Sequence, residues 1–296
     1  YNGGHQLDRY LRDTLGRFVE FVPVCPEVEC GMGVPREAVR LVELSGQIRL
    51  VTSGTAVDMT DMMTEWMLSR IKDLKKIPLC GFIFKNKSPS SGLHRVKVYR
   101  EGRVTKDGIG VFARGFTEAF PLLPVEDNGR LHDDVLRENF IERIFVVHRW
   151  LNLVLSEPSV SELMDFHARH KYLIMAHSQS ALRRLGKMVA ETDRNALIRT
   201  LSEYISTLMK SLEKPATRKS NTNVLEHISG YFKKNLSADE KAELQEVIEE
   251  YHSDLLPIIV PVTLLAHYVR KYRPEYLQRQ YFLNPHPMEL MLRNHV

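Results

Sequence analysis

Up to residue 130, short apolar runs alternate with segments of helical period. Leu7 to Phe18 reads as a short helix, and Phe18 to Val24 as a strand that stops at a proline. Val39 to Leu44 and Ile48 to Thr52 read as strands around Ser45-Gly46. Thr60 to Leu74 carries Met63, Trp66, Met67 and Ile71 on one helical face. The compact run Leu79 to Phe84 predicts a strand buried on both faces, Val96 to Tyr99 another strand, and Gly110 to Phe120 a helix. Strands separated by helices predict an α/β domain with a mostly parallel sheet, and ligands in such sheets sit at the carboxyl ends of strands. From Leu131 the strand pattern stops. Leu131 to Ser156 is one long helical pattern, more follow from Ser161, and Ser237 with Glu240 forms a capping box. A polar connection is expected around Lys214 to Asn223. The pattern predicts an α/β domain over 1–157 followed by an all-α domain over 158–296, with the boundary near Glu157-Pro158-Ser159.

Composition narrows the class. With 43% hydrophobic and 26% charged residues the chain is globular rather than disordered or fibrous. Its 41 basic and 37 acidic residues leave a formal charge of +4, which permits a polyanionic partner without demanding one. Three cysteines exclude a disulfide scaffold and predict a reducing, cytoplasmic setting. The most apolar stretch, Leu255 to Val269, is interrupted by Pro257, Pro261 and His267, so no membrane partner is expected. No signal peptide is visible, and the opening Tyr1-Asn2-Gly3-Gly4 reads as the middle of a loop, so the chain is expected to be an N-terminally truncated piece.

Two loops carry candidate chemistry. The first, Pro23 to Arg36, clusters Cys25, Glu27, Cys30 and two glycines directly after the expected strand. Its thiols suit a soft metal or an iron–sulfur cluster, or equally the packing of a buried turn. The second, Lys85-Asn86-Lys87-Ser88-Pro89-Ser90-Ser91-Gly92, offers hydroxyls, backbone donors and two lysines for a polar or anionic ligand; the same composition also makes an ordinary turn.

Tyr1-Asn2-Gly3-Gly4-His5, Val24-Cys25-Pro26-Glu27, the Gly-x-x-x-Pro-Arg ending at Arg36, and Lys85 to Gly92 together resemble the thiouracil desulfidase family. Phe166-His167-Ala168-Arg169-His170-Lys171 and Leu283-Asn284-Pro285-His286-Pro287 resemble the YbgA-like domain often fused to it. The fused form is similar to bacterial desulfidases acting on 4-thiouridine in tRNA. The resemblance implies a [4Fe–4S] cluster held by three cysteines with one iron open to the thiocarbonyl sulfur. One ligand position falls upstream of Tyr1, a second is Cys25, and the third is occupied here by Ser91. Cys30 is the favoured substitute, with Cys80 the alternative. The resemblance also implies Glu27 as the base that activates water and Ser88 as a donor to the pyrimidine or the developing charge, with release of sulfide and no external electron donor. Lys85, Lys87 and Ser90 are candidate substrate contacts, and Arg36 suits a phosphate or a carboxylate equally.

In the helical domain, His167, His170 and His177 share a broad face, for which a structural or partner-contact role is expected. Arg169, Lys171, Arg183 and Arg184 are candidate contacts to an RNA backbone. The expected function is an iron–sulfur-dependent desulfidase of thiolated pyrimidine, foremost 4-thiouridine in tRNA. The alternatives are a non-catalytic RNA-binding or docking protein that has lost its cluster, and a desulfidase of free 2-thiouracil.

Overall fold

The computed structural model describes residues 7–295, so Tyr1 to His5 of the N-terminal motif lie outside the described residues. The chain divides into two compact units, Tyr1–Asp133 and Asp134–Val296.

In the first unit, single helical turns at Tyr10–Thr14 and Leu15–Arg17 lead into an extended segment and then a one-turn helix, α1 (Pro26–Glu29). The strand expected over Phe18 to Val24 does not form. Phe21, Val22 and Pro23 are exposed and join no ladder, and Pro23 has no N–H to give one. Strands β1 (Val39–Leu44) and β2 (Gln47–Thr52) pair antiparallel across Ser45-Gly46, both at positive φ, as a two-residue hairpin turn requires. Helix α2 (Thr60–Leu74) then buries Met63, Met67 and Ile71, the expected face. It leads to β3 (Phe82–Phe84), β4 (Val96–Arg100), β5 (Arg103–Gly108), α3 (Val111–Ala119) and β6 (Val125–Asp127).

One sheet has the order β2-β1-β4-β5, and β3 pairs with β6 in a second. The larger sheet is mixed, not mostly parallel. Only β1 and β4 run parallel within it, because β1–β2 and β4–β5 are each joined by a two-residue link too short for a crossover. The parallel expectation holds for β3 and β6. Edge strand β5 was hidden by Arg103, Lys106 and Asp107, charges of the kind that discourage pairing with a further chain. The core has two parts. Leu41, Leu50, Met63, Val96 and Val98 pack between α2 and the larger sheet. Phe84, Phe112 and Phe116 pack with Met67, Ile71 and Leu74, and Phe82 lies 4.3 Å from Phe116, centroid to centroid.

The second unit is helical: α4 (Asp134–Leu155), α5 (Val160–His177), α6 (Gln179–Ala190), α7 (Leu197–Ser211), α8 (Arg218–Ser229), α9 (Ala238–His252), α10 (Ile259–Tyr272) and α11 (Glu275–Gln278). The division falls before Asp134 rather than at Glu157, because the buried face of α4 packs within this unit. Trp150 stacks on Tyr204 at 5.6 Å and meets Phe166 edge-on. The Ser237–Glu240 capping box forms as read, and two more close α5 and α8 at Ser159–Glu162 and Thr217–Ser220. The second of these starts α8 inside the stretch expected as a connection, where Val224, Leu225 and Ile228 supply a buried face.

Candidate functional site

Both sequence-predicted loops meet at the carboxyl group of Glu27. Cys25 stands at the N-cap of α1 with Pro26 next, a residue whose fixed φ suits the first helical position. The Cys25 N–H donates to Glu29 Oε1 at 2.9 Å, and Arg70 of α2 pairs with the other Glu29 oxygen at 3.2 Å. This pins α1 so that Glu27 points at the second loop.

That loop is shaped by two glycines. Gly92 N–H donates to the Ser88 carbonyl at 2.7 Å, and a Cβ at Gly92 would lie 2.6 Å from the same oxygen. Gly110, before α3, lets the helix start beneath the loop: Phe112 N–H donates to the Ser90 carbonyl at 2.9 Å. A Cβ at Gly110 would come within 2.7 Å of Ser91 N, backbone that cannot swing aside. Gly110→Ala should therefore lower stability by about 1–3 kcal/mol, an overpacking cost, measurable as a drop in the urea midpoint of the first unit.

The hydroxyls of the loop form a chain of fixed polarity. Ser91 N–H donates to Ser88 Oγ at 3.1 Å, Ser88 and Ser90 Oγ are 2.9 Å apart, and Ser90 Oγ–H donates to Glu27 Oε1. A carboxylate only accepts, so the Ser90 proton is committed to Glu27 and Ser90 must accept from Ser88. Ser88 thus orients Ser90, and Ser90, 63 residues from Glu27 in sequence, is the hydroxyl in direct contact with it. The other Glu27 oxygen faces the Cys25 thiol and an Arg36 guanidinium nitrogen, each at 3.8 Å, while Arg36 also donates to the Gly33 carbonyl. Of the two partners open for Arg36, the structure supplies a carboxylate. Ser90 and Ser91 are buried, whereas Cys25 is exposed.

The remaining sequence candidates lie elsewhere. Cys30 packs against the Leu41 core cluster with its sulfur on the Glu27 carbonyl at 3.4 Å, and burial pushes its thiol pKa up. Cys80 directs its sulfur to the Pro78 carbonyl and is likewise raised by burial. Lys85 and Lys87 are exposed on the rim of the second loop. A cluster on three cysteines needs three sulfurs around one pocket. Among the described residues, no three His, Cys, Asp or Glu side chains come together to hold a metal ion, and Cys25 is the one thiol at the Glu27 carboxyl. The described residues do not fit such a cluster. Neither Gly110 nor Arg70 was singled out from the sequence. The Gly108-Ile109-Gly110 spacing before an apolar helix was the available signal for the former, and nothing marked the latter.

In the second unit, the three histidines find separate partners. His167 Nδ1 lies 3.0 Å from the Tyr204 hydroxyl, His170 Nδ1 2.7 Å from the Phe166 carbonyl, and His177 Nε2 2.7 Å from Glu142 Oε1. Arg169 is held by Asp165 at 2.6 Å, Lys171 lies beside Tyr172 and Tyr276, and Arg183 and Arg184 are exposed on α6. Among the described residues, no helix is long and apolar enough to cross a membrane.

Residues 1–128 match the 2-thiouracil desulfurase family, and residues 171–287 match a family described as a protein of unknown function, DUF1722. The uncharacterized protein YbgA of Escherichia coli (strain K12) is 30% identical over 153 residues, which is 51% of this chain and 90% of that protein. No solved structure matches. The chain thus belongs to the YbgA family, in the form that carries a 2-thiouracil desulfurase region ahead of the DUF1722 region.

Proposed function

We propose that the first unit removes sulfur from thiolated pyrimidines by hydrolysis, with Glu27 as general base. The relay Ser88–Ser90–Glu27 carries this reading, since it aims a carboxylate with one oxygen held and the other turned toward an exposed thiol. Water loses a proton to Glu27 and attacks the thiocarbonyl carbon. The proton held on Glu27 passes to the sulfur, the new hydroxyl gives its own proton back to Glu27 as the carbonyl forms, and the carbon–sulfur bond breaks to release hydrosulfide. Carbonyl replaces thiocarbonyl with no change in electron count. Arg36 steadies the carboxylate charge. The iron–sulfur cluster is a proposal that needs ligands beyond the described residues, because Cys25 supplies one sulfur.

The finer substrate proposed is 4-thiouridine in tRNA, supported by exposed Arg183, Arg184 and Lys187 on α6. Free 2-thiouracil is the second reading, favoured by the family matched over residues 1–128. Sulfide release from thiolated tRNA, from 4-thiouridine and from 2-thiouracil separates them. Turnover of tRNA well above the free compounds is expected, and equal turnover would assign the free base. Absence of sulfide from all three would overturn the hydrolase reading.

A further inference from the structure

The second unit contains a cavity of about 620 Å³ between α10 and the C-terminal segment 283–294, within the range of about 300–1,000 Å³ that holds small ligands. Its walls are aliphatic, with Val262, Ala266 and Val269 from α10 facing Met288, Met291 and Leu292. Met288 and Met291 are 65% and 68% exposed, unusual for methionine unless an apolar surface comes to cover them, and their unbranched side chains adapt to an irregular guest.

The charged lining has one sign. Arg270, Arg273 and Arg293 line the cavity, and no aspartate or glutamate does so among the described residues. Arg293 is already neutralised by Glu138 at 3.0 Å and Glu142 at 3.6 Å. Lys271, next in sequence, is tied to Glu240, but Arg270 and Arg273 are exposed and have no ion pair among the described residues. Two uncompensated guanidinium groups thus stand at the edge of an aliphatic trough, and guanidinium suits carboxylate or phosphate. No Phe, Tyr or Trp lines the trough, so it lacks the aromatic platform on which a nucleobase stacks.

The geometry points to a site for a single-chain amphiphilic anion, its aliphatic body lying between α10 and the methionine rim and its head group on Arg270 and Arg273. Carboxylate and phosphate heads share this chemistry, and decanoate and decyl phosphate are the two probes. Calorimetric titration of the full chain, below micelle-forming concentrations, should show saturable binding of at least one of them. Decanol, which has the same body without the charge, should bind about tenfold weaker or less, the scale of a lost charged hydrogen bond. Arg270→Ala with Arg273→Ala, and separately Met288→Glu, alter exposed positions. Each should weaken anion binding by about tenfold while leaving the circular dichroism melt unchanged. Absence of saturable heat from both anions overturns the assignment. So does affinity that the arginine variant leaves intact, or tighter binding of uridine monophosphate than of either amphiphile.

Discussion

Glu27→Gln is expected to reduce sulfide release by about 100-fold or more, the usual contribution of a positioned general base. Glutamine keeps the length and can still accept from Ser90, so the loop–helix contact survives while the basic oxygen is lost. The fall should appear in kcat with KM little changed. Ser90→Ala should have a smaller effect of the same kind, because the carboxylate remains but loses the hydroxyl that aims it. A Glu27→Gln chain with wild-type turnover would remove Glu27 from the chemistry altogether.

The second large effect is on stability against pH. Burial pushes the imidazole of His170 down to about 3, with Arg149 and His167 adding repulsion. His167, half-buried beside Lys171, and His286, buried beside Arg293, are each pushed down to about 4. These histidines are neutral in the fold and charge on unfolding, so the unfolded chain binds more protons. Their contribution is complete above the ordinary value of 6.5 and is lost as pH falls toward 4 and then 3. Each costs up to about 1.4 kcal/mol per pH unit in that window.

His177 has the opposite sign. Burial lowers it, but Glu142 and the Lys214 carbonyl outweigh this and hold it above its ordinary value, so its contribution is present below 6.5 and lost as pH rises through the raised value. Glu138, raised by burial, also gains on acidification, one carboxyl against three imidazoles. The unfolding midpoint of the second unit should therefore drop steeply between pH 6.5 and 5. Trp150 reports it once Trp66, in the first unit, is changed to Phe. His170→Phe should flatten that slope by up to about 1.4 kcal/mol per pH unit; a midpoint independent of pH would contradict the burial of all three rings.

What could be read from the sequence follows from how local each determinant is. Helix α2 was legible because its buried face repeats every four residues, and the Ser237 cap because both partners lie within one turn. The mixed sheet was not, although Ser45-Gly46 is a hairpin signal, because alternation of strands and helices carries no information on the direction of each strand. Cys25, Glu27, Ser88 and Ser90 were all named in advance as two separate loops; that they touch is a fact about α3 and β3, which no spacing within either loop encodes. The roles within the group were also hidden, since only the direction of each hydrogen bond distinguishes Ser88 from Ser90.

The relay begins at a main-chain amide, that of Ser91, and this frees the Ser91 side chain from the task of setting its direction. Any residue except proline brings the same N–H to the same place. Position 91 can therefore exchange an oxygen for a sulfur, or for neither, over evolutionary time without reversing the order in which protons are handed to Glu27.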